Sequence, residues 1–225
     1  ENQRLRTSRR AGSGKGPLAS LLLVGNEGVG KRYLTQVIAK LLYKDGGVEV
    51  FECDRLTVSQ LLGTKDAPGQ LLEVVSNESH CLLCFERIDA ASADVQRLLG
   101  QVATAGKLRA PGSDRDVSFE NAVVVLTTSK SAGALAELDD QQLSQAAWQQ
   151  RAIQVIGDET QVDPQLLGAV TDLFFFVAPS DRVKAEVIAL LMKDECSAHQ
   201  IRLSQVAPSI IATQVYQLDE TSGFG

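Results

Sequence analysis

The sequence predicts an α/β protein: a five-stranded parallel sheet flanked by helices, with the start of a small C-terminal helical lobe behind it. Three observations predict it. A glycine-rich phosphate-loop motif, Gly25-Asn26-Glu27-Gly28-Val29-Gly30-Lys31-Arg32, stands between an apolar run and a helical pattern. Four more short apolar runs follow, separated by helical patterns, as in a parallel sheet covered on both faces. Pro179-Ser180-Asp181 then marks a helix start ahead of the apolar stretch from Val183 to Met192.

Taken in order, Leu21-Leu22-Leu23-Val24 reads as the first buried strand. Tyr33 to Tyr43 reads as the helix after the loop, with Leu34, Val37, Ile38 and Leu41 on one face. Val48 to Cys53 reads as the second strand, Leu82 to Phe85 as the third and Ala122 to Thr127 as the fourth. The fifth is Leu173 to Val177, with three consecutive phenylalanines. The glutamine-rich patch from Gln141 to Gln154 reads as the polar face of a helix carrying Trp148. Three regions are expected: a basic lead-in arm over 1–17, a large α/β subdomain over 18–178 and a truncated helical subdomain over 179–225.

With 225 residues and 44% hydrophobic content, the chain can bury one sizeable core and a small second lobe. No apolar run approaches the roughly 20 residues that a membrane helix needs. Nor is the basic start, with Arg4, Arg6, Arg9 and Arg10, followed by the apolar segment of a signal peptide. No membrane contact is expected, and a cytoplasmic location is. The net charge of -6 argues against general nucleic-acid binding. The five cations Arg4, Arg6, Arg9, Arg10 and Lys15 read as a solvated arm. Of the four cysteines, Cys81 and Cys84 fall on one short strand, where residues three apart point to opposite faces, so they do not share a zinc. Buried free thiols in a reducing compartment are the better reading for Cys53, Cys81, Cys84 and Cys196.

The phosphate loop carries the chemistry. Its glycines let successive backbone N–H groups point at phosphate oxygens beside the positive helix N-terminus, and Lys31 reaches the terminal phosphates. The motif is intact up to Lys31 and then carries Arg32 where Ser or Thr would hold Mg²⁺. A guanidinium has only donors and ligates no metal. ATP or ADP is therefore expected as ligand, and Mg²⁺ is not. The plain alternative is a glycine turn between a strand and a helix.

The segment Leu82-Leu83-Cys84-Phe85-Glu86-Arg87-Ile88-Asp89-Ala90 resembles the L-L-F-D-E-I-E-K segment found in the second ATPase domain of Clp-type AAA+ unfoldases such as ClpB and ClpV. Gly69-Gln70-Leu71-Leu72-Glu73-Val74-Val75 is similar to the family's G-Q-L-T-E-A-V. Gly106-Lys107-Leu108 with Val117-Ser118-Phe119-Glu120-Asn121 is similar to its G-R-L and V-D-F-x-N hairpin, and Arg9-Arg10-Ala11-Gly12 to its lead-in. The resemblance covers nearly the whole chain and implies an AAA+ P-loop NTPase fold, a homo- or hetero-oligomeric ring and a protein partner or client. The chain begins at Glu1 and stops at Ser222-Gly223-Phe224-Gly225, where the family's G-A-R motif would begin, so a fragment of a longer protein is expected.

The resemblance also implies that the catalytic positions are degenerate. Glu86 stands where the metal-positioning Asp belongs, and Arg87 where the carboxylate that activates water belongs; a cation cannot act as that base. A one-residue shift would restore the base as Glu86 but put Phe85 at the metal position. Ser129 takes the place of the sensor Asn, and Ala169, in Pro164-Gln165-Leu166-Leu167-Gly168-Ala169, the place of the arginine finger. The nearest arginines are Arg151 and Arg182. A finger contributes a factor of ~10³ or more in rate, so turnover is not expected. The aromatic gripping loop is also missing, because Gly63 is separated from Gly69 by five residues with no tyrosine.

Two readings of the added cations stay open. In one, Arg32 replaces Mg²⁺ electrostatically, since guanidinium pairs well with phosphate oxygens. In the other, Arg87 closes the pocket through a salt bridge to Glu86, Asp89 or another acid. The leading functional expectation is a pseudo-ATPase module acting in ring assembly or partner binding. The alternative is a fragment of an active Clp-type chaperone or type VI secretion unfoldase in which another domain or subunit hydrolyses ATP. A pure interaction domain with a filled pocket is a third reading, and a DNA-acting role has only the basic arm for support.

Overall fold

Alternation along the strands decides the sheet. In β1 (Ala19–Gly25), Leu22 and Val24 enter one hydrophobic cluster and Leu21 and Leu23 the other, because successive side chains of a strand point to opposite faces. The same split runs through β3 (Leu82–Glu86), with Leu83 and Phe85 against Leu82 and Cys84, and through β6 (Val123–Thr128), with Val124 and Leu126 against Val123 and Val125. With β2 (Val48–Glu52) and β7 (Asp172–Phe176) these form a five-stranded sheet of order β2-β3-β6-β1-β7, all neighbours parallel. The five strands fall where the sequence places them, within two residues at each end. The computed structural model describes residues 16–43, 47–65, 67–113, 115–139 and 143–220, so most of the expected basic arm, part of the glutamine-rich patch and the C-terminal motif lie outside the described residues.

One helix covers the first face. In α1 (Lys31–Leu42), Thr35 and Ala39 are buried, flanked by Leu34, Ile38 and Leu42, and Tyr43 ends the layer with its hydroxyl donating to Asn121 O at 2.8 Å. This corrects the expected apolar face: Leu41 is 78% exposed, because the stripe that meets the sheet is centred on Thr35 and Ala39 rather than on Val37 and Leu41.

The opposite face carries the rest of the chain up to the last strand: α2 (Val58–Leu62), α3 (Gln70–Asn77), α4 (Ala93–Ala105), α5 (Ala132–Asp139), α6 (Gln145–Thr160) and α7 (Pro164–Gly168). Each start has a chemical cause where the sequence supplies a cap: Ser92 accepts from Val95 N–H, Ser144 from Ala147 N–H and Asp163 from Gln165 N–H. α4 ends at Gly106, whose φ of 64° suits a residue without a Cβ. A separate antiparallel pair, β4 (Lys107–Arg109) and β5 (Asp116–Ser118), is the expected hairpin, and it delivers Phe119 fully buried into the core.

The described chain divides into two compact units, residues 16–25 with 31–176 and residues 26–30 with 177–220. In the second, α8 (Asp181–Ala198) starts at Ser180, whose hydroxyl accepts from Val183 N–H, and packs against α9 (Pro208–Glu220). Of the apolar residues of α8, Ile188 is buried, whereas Val183, Val187, Leu190 and Leu191 are exposed. Among the described residues no helix is long and apolar enough to cross a membrane.

The two strand cysteines separate as their spacing requires, Cys81 into one cluster and Cys84 into the other. Burial pushes the Cys53 and Cys84 thiols up to about 12 and Cys81 up to about 11, so all three stay protonated near neutrality. A thiol whose pKa is raised by folding contributes stability that is present below its unfolded value and lost as the pH climbs through the folded one. Native iodoacetamide treatment at pH 7.5 is expected to modify only the half-buried Cys196, and all four thiols after unfolding, as read by intact mass.

Candidate functional site

The motif after β1 has the backbone a phosphate loop needs. Gly28 and Gly30 adopt φ of 74° and 98°, a region that side-chain-bearing residues avoid. For Gly30 the conformation alone demands glycine, since a Cβ there would meet nothing within 4 Å. α1 begins at Lys31, whose ammonium donates to Gly25 O at 2.7 Å, and Arg32 is the next residue on the same turn.

At the carboxyl ends of the parallel strands, Leu23 pairs with Thr127, Val24 with Thr128 and Phe85 with Leu126. Glu86 is the last residue of β3, and its carboxylate receives Arg32 in a fork: Nε donates to Oε1 at 2.8 Å and Nη2 to Oε2 at 2.6 Å. The Arg32 side chain is 58% exposed and that of Glu86 19%. Hydrogen bonding to Glu86, then its charge, raises the guanidinium's already high pKa, so Arg32 stays charged at any working pH.

Arg87 follows in a left-handed conformation, φ 55°, with its N–H donating to Thr127 Oγ1 at 3.3 Å. That kink turns the guanidinium to Asp54 Oδ1, 2.6 Å away, in the turn that ends β2. Of the three partners open from the sequence, it is the unnamed third acid, and neither Glu86 nor Asp89, that this ion pair uses. Asp89 has its own partners: it accepts from Thr128 Oγ1 at 2.6 Å and sits 3.2 Å from Lys130 Nζ, with its side chain 8% exposed. Ser129 lies between these two partners, half-buried.

Ion pairs among the described residues line the carboxyl end of the sheet, joining Arg32 with Glu86, Arg87 with Asp54 and Lys130 with Asp89. The sequence pointed to Arg32, Glu86, Arg87 and Asp89, but not to Asp54 or Lys130, which come from separate segments and acquire meaning only when β2 and β6 lie beside β3. Ala169 is the residue closing α7, half-buried, with its N–H on Gln165 O at 3.2 Å. Arg151 bonds Gln154 at 3.1 Å and Arg182 bonds Glu186 at 3.2 Å, each within its own helix. Between α2 and α3, Gly63 and Pro68 form an antiparallel bridge and Thr64 N–H donates to Ala67 O at 2.8 Å, so the connection is a closed turn.

The family model for an AAA domain of the Cdc48 subfamily matches residues 16–170. The chaperone protein ClpB of Lactiplantibacillus plantarum is 28% identical over 220 residues, covering 89% of this chain and 25% of that one. ClpB 1 of Parasynechococcus marenigrum is 25% identical over 213 residues, covering 88% and 24%. The chain thus spans about a quarter of the length of these relatives. Among solved structures, the S. cerevisiae Hsp104–ADP complex superposes with a TM-score of 0.69 at 19% identity, over 88% of this chain and 36% of that one. A closed-state cryo-EM reconstruction of Hsp104 with ATPγS and FITC casein gives 0.67 at 22%, over 85% and 34%. At those identities the two structures speak for the fold.

Proposed function

The chain belongs to the AAA domain family, Cdc48 subfamily, as a Clp-type AAA+ ATPase domain, and from that premise we propose that it is a pseudo-ATPase module: it binds ATP or ADP through its phosphate loop without Mg²⁺, and serves ring assembly or partner binding rather than hydrolysis. The observation that carries this reading is the fork between Arg32 and Glu86. Where a hydroxyl and a carboxylate would share a divalent cation, the hydroxyl position holds a cation of its own and the carboxylate is already bound to it. A metal would have to displace a bidentate, charge-assisted pair and would gain one carboxylate ligand in return.

Arg87 supports the same reading. Its guanidinium, paired with Asp54, belongs to the residue at which the resemblance implies the base, and a guanidinium cannot take a proton from water. Lys31, on the first turn of α1, meets the phosphates by exchanging its hydrogen bond to Gly25 O for one to the ligand. The nucleotide's charge is then balanced by protein cations alone, and the bound state is a signal or a structural filler rather than a reaction intermediate.

Titration with a fluorescent ATP analogue tests this. Saturable binding whose affinity changes less than about twofold between excess Mg²⁺ and excess EDTA is expected, with no phosphate release over hours. Binding that requires Mg²⁺ would overturn the proposal. A second reading has the chain's span in its favour: relatives about four times as long leave room for another ATPase domain that hydrolyses ATP while this one does not. Hydrolysis by a longer chain that survives Lys31→Ala here would support it.

A further inference from the structure

The sheet ends at β2, and its outer edge is paired by no described strand. An open cleft of about 520 Å³ lies along that edge, between α1 on one side and the segment leading into α2 and α3 on the other. Its walls carry three glutamine amides, Gln36, Gln60 and Gln70, the guanidinium of Arg55, and Val50 of β2 itself, which is 40% exposed. Gln60 already spends its carbonyl on the Thr57 N–H at 2.9 Å, which leaves its NH₂ group as the outward face.

Arg55 decides which ligand this cleft fits. Its side chain is 79% exposed, and its two carboxylate neighbours, Glu52 and Asp54, stand at 3.7 and 3.8 Å, beyond hydrogen-bond distance. Asp54 is committed to Arg87 at 2.6 Å. Arg55 thus presents a guanidinium with no hydrogen-bonded acceptor, beside an unpaired strand edge, amides of both polarities and the apolar Val50, Phe51 and Leu56. Backbone groups of an extended chain would pair with β2, the amides would meet its peptide groups, and a carboxylate would take the guanidinium.

We propose that this edge cleft docks an extended segment of a protein partner, added as a sixth strand beside β2, with an acidic side chain received by Arg55. Arg32, the last residue of the phosphate-loop motif, also lines this cleft, so the docking site and the nucleotide site share one wall. Exposed Glu49 and Glu52 on the same strand set its limit: they disfavour pairing of β2 with a second copy, which would bring like charges together.

Two end-capped heptapeptides of alternating threonine and valine, differing only in a terminal glutamate or lysine, serve as probes with the nucleotide-free chain. The glutamate peptide is expected to bind saturably below millimolar concentration and about tenfold more tightly than the lysine peptide. Arg55→Ala should remove that preference, Glu52→Gln should tighten the glutamate peptide by removing a competing carboxylate, and N-methylation of alternate peptide bonds should abolish binding. No saturable binding, equal affinity for the two peptides, or indifference to Arg55→Ala would overturn the proposal. So would a concentration-dependent dimer in sedimentation that the peptide dissociates, since the edge would then belong to a second copy.

Discussion

Lys31→Ala should abolish saturable nucleotide binding, and Glu86→Gln should strengthen it about tenfold. The two variants act on the same phosphates from opposite directions. Lys31 supplies an ammonium at the start of α1, within reach of Gly25 O, and its removal takes away both the charge and the donor. Glu86 does the reverse: it occupies both arms of the Arg32 fork at 2.8 and 2.6 Å and adds a negative charge beside an anionic ligand.

Neutralising Glu86 frees the guanidinium for a phosphate and removes the repulsion. Exposed ion pairs contribute only ~0–1 kcal/mol, but this one is bidentate and its carboxylate is mostly covered, so ~1.4 kcal/mol, or a factor of about ten, is the expected scale. In a magnesium-dependent site the same substitution would remove a metal ligand and weaken binding. Fluorescence titrations of the two variants with and without EDTA give the sign directly. Weaker binding in Glu86→Gln would mean that the carboxylate serves a metal and that the fork opens to admit it.

The second large effect concerns the turn between α2 and α3. Gly69→Ala is expected to destabilise the chain by ~3 kcal/mol or more, lowering Tm by about 10 °C. A Cβ on Gly69 would press into the backbone of Gly63 and Leu61, and one on Gly63 into Ala67 O and the Gly69 backbone, with the φ of Gly63 at 84° adding strain. None of these obstacles is a flexible side chain, so the turn itself must open. Gly133→Ala, at a site with nothing within 4 Å inside α5, is the control and should shift Tm by a degree or two at most. An unchanged Tm for Gly69→Ala would show that Gly63 and Pro68 do not close the turn in solution.

That turn also bears on work. A segment that grips polypeptide must extend from the body of the domain, whereas this connection is pinned at both ends by the bridge and by Thr64 N–H on Ala67 O. Its shortness was visible in the sequence as the small gap between Gly63 and Gly69. Its closure was not, because the bridge is a contact between two backbones whose conformations no side chain announces.

What the sequence determined by itself is the frame. Runs such as Leu21 to Val24 and Val123 to Leu126 are too apolar to lie anywhere but inside a sheet covered on both faces, and Gly28, Gly30 and Lys31 between a strand and a helix leave little room for another loop. Residues at fixed local spacing encode such elements directly, which is why Ser92, Ser144 and Ser180 also stand where helices begin. The face of α1 differs at Leu41 because four apolar residues, Leu34, Val37, Ile38 and Leu41, share that side and only packing decides which stripe meets the sheet. The partners of the cations belonged wholly to the tertiary structure. Arg32 is 54 positions from Glu86, and Lys130 reaches Asp89 from past the far end of β6, so composition and spacing cannot assign them. Charge has no periodicity. An acid is paired by whichever cation the strand order carries to within a few ångströms of it, and here that order placed Asp54 against Arg87, bound Glu86 to Arg32 and left Arg55 with no carboxylate nearer than 3.7 Å.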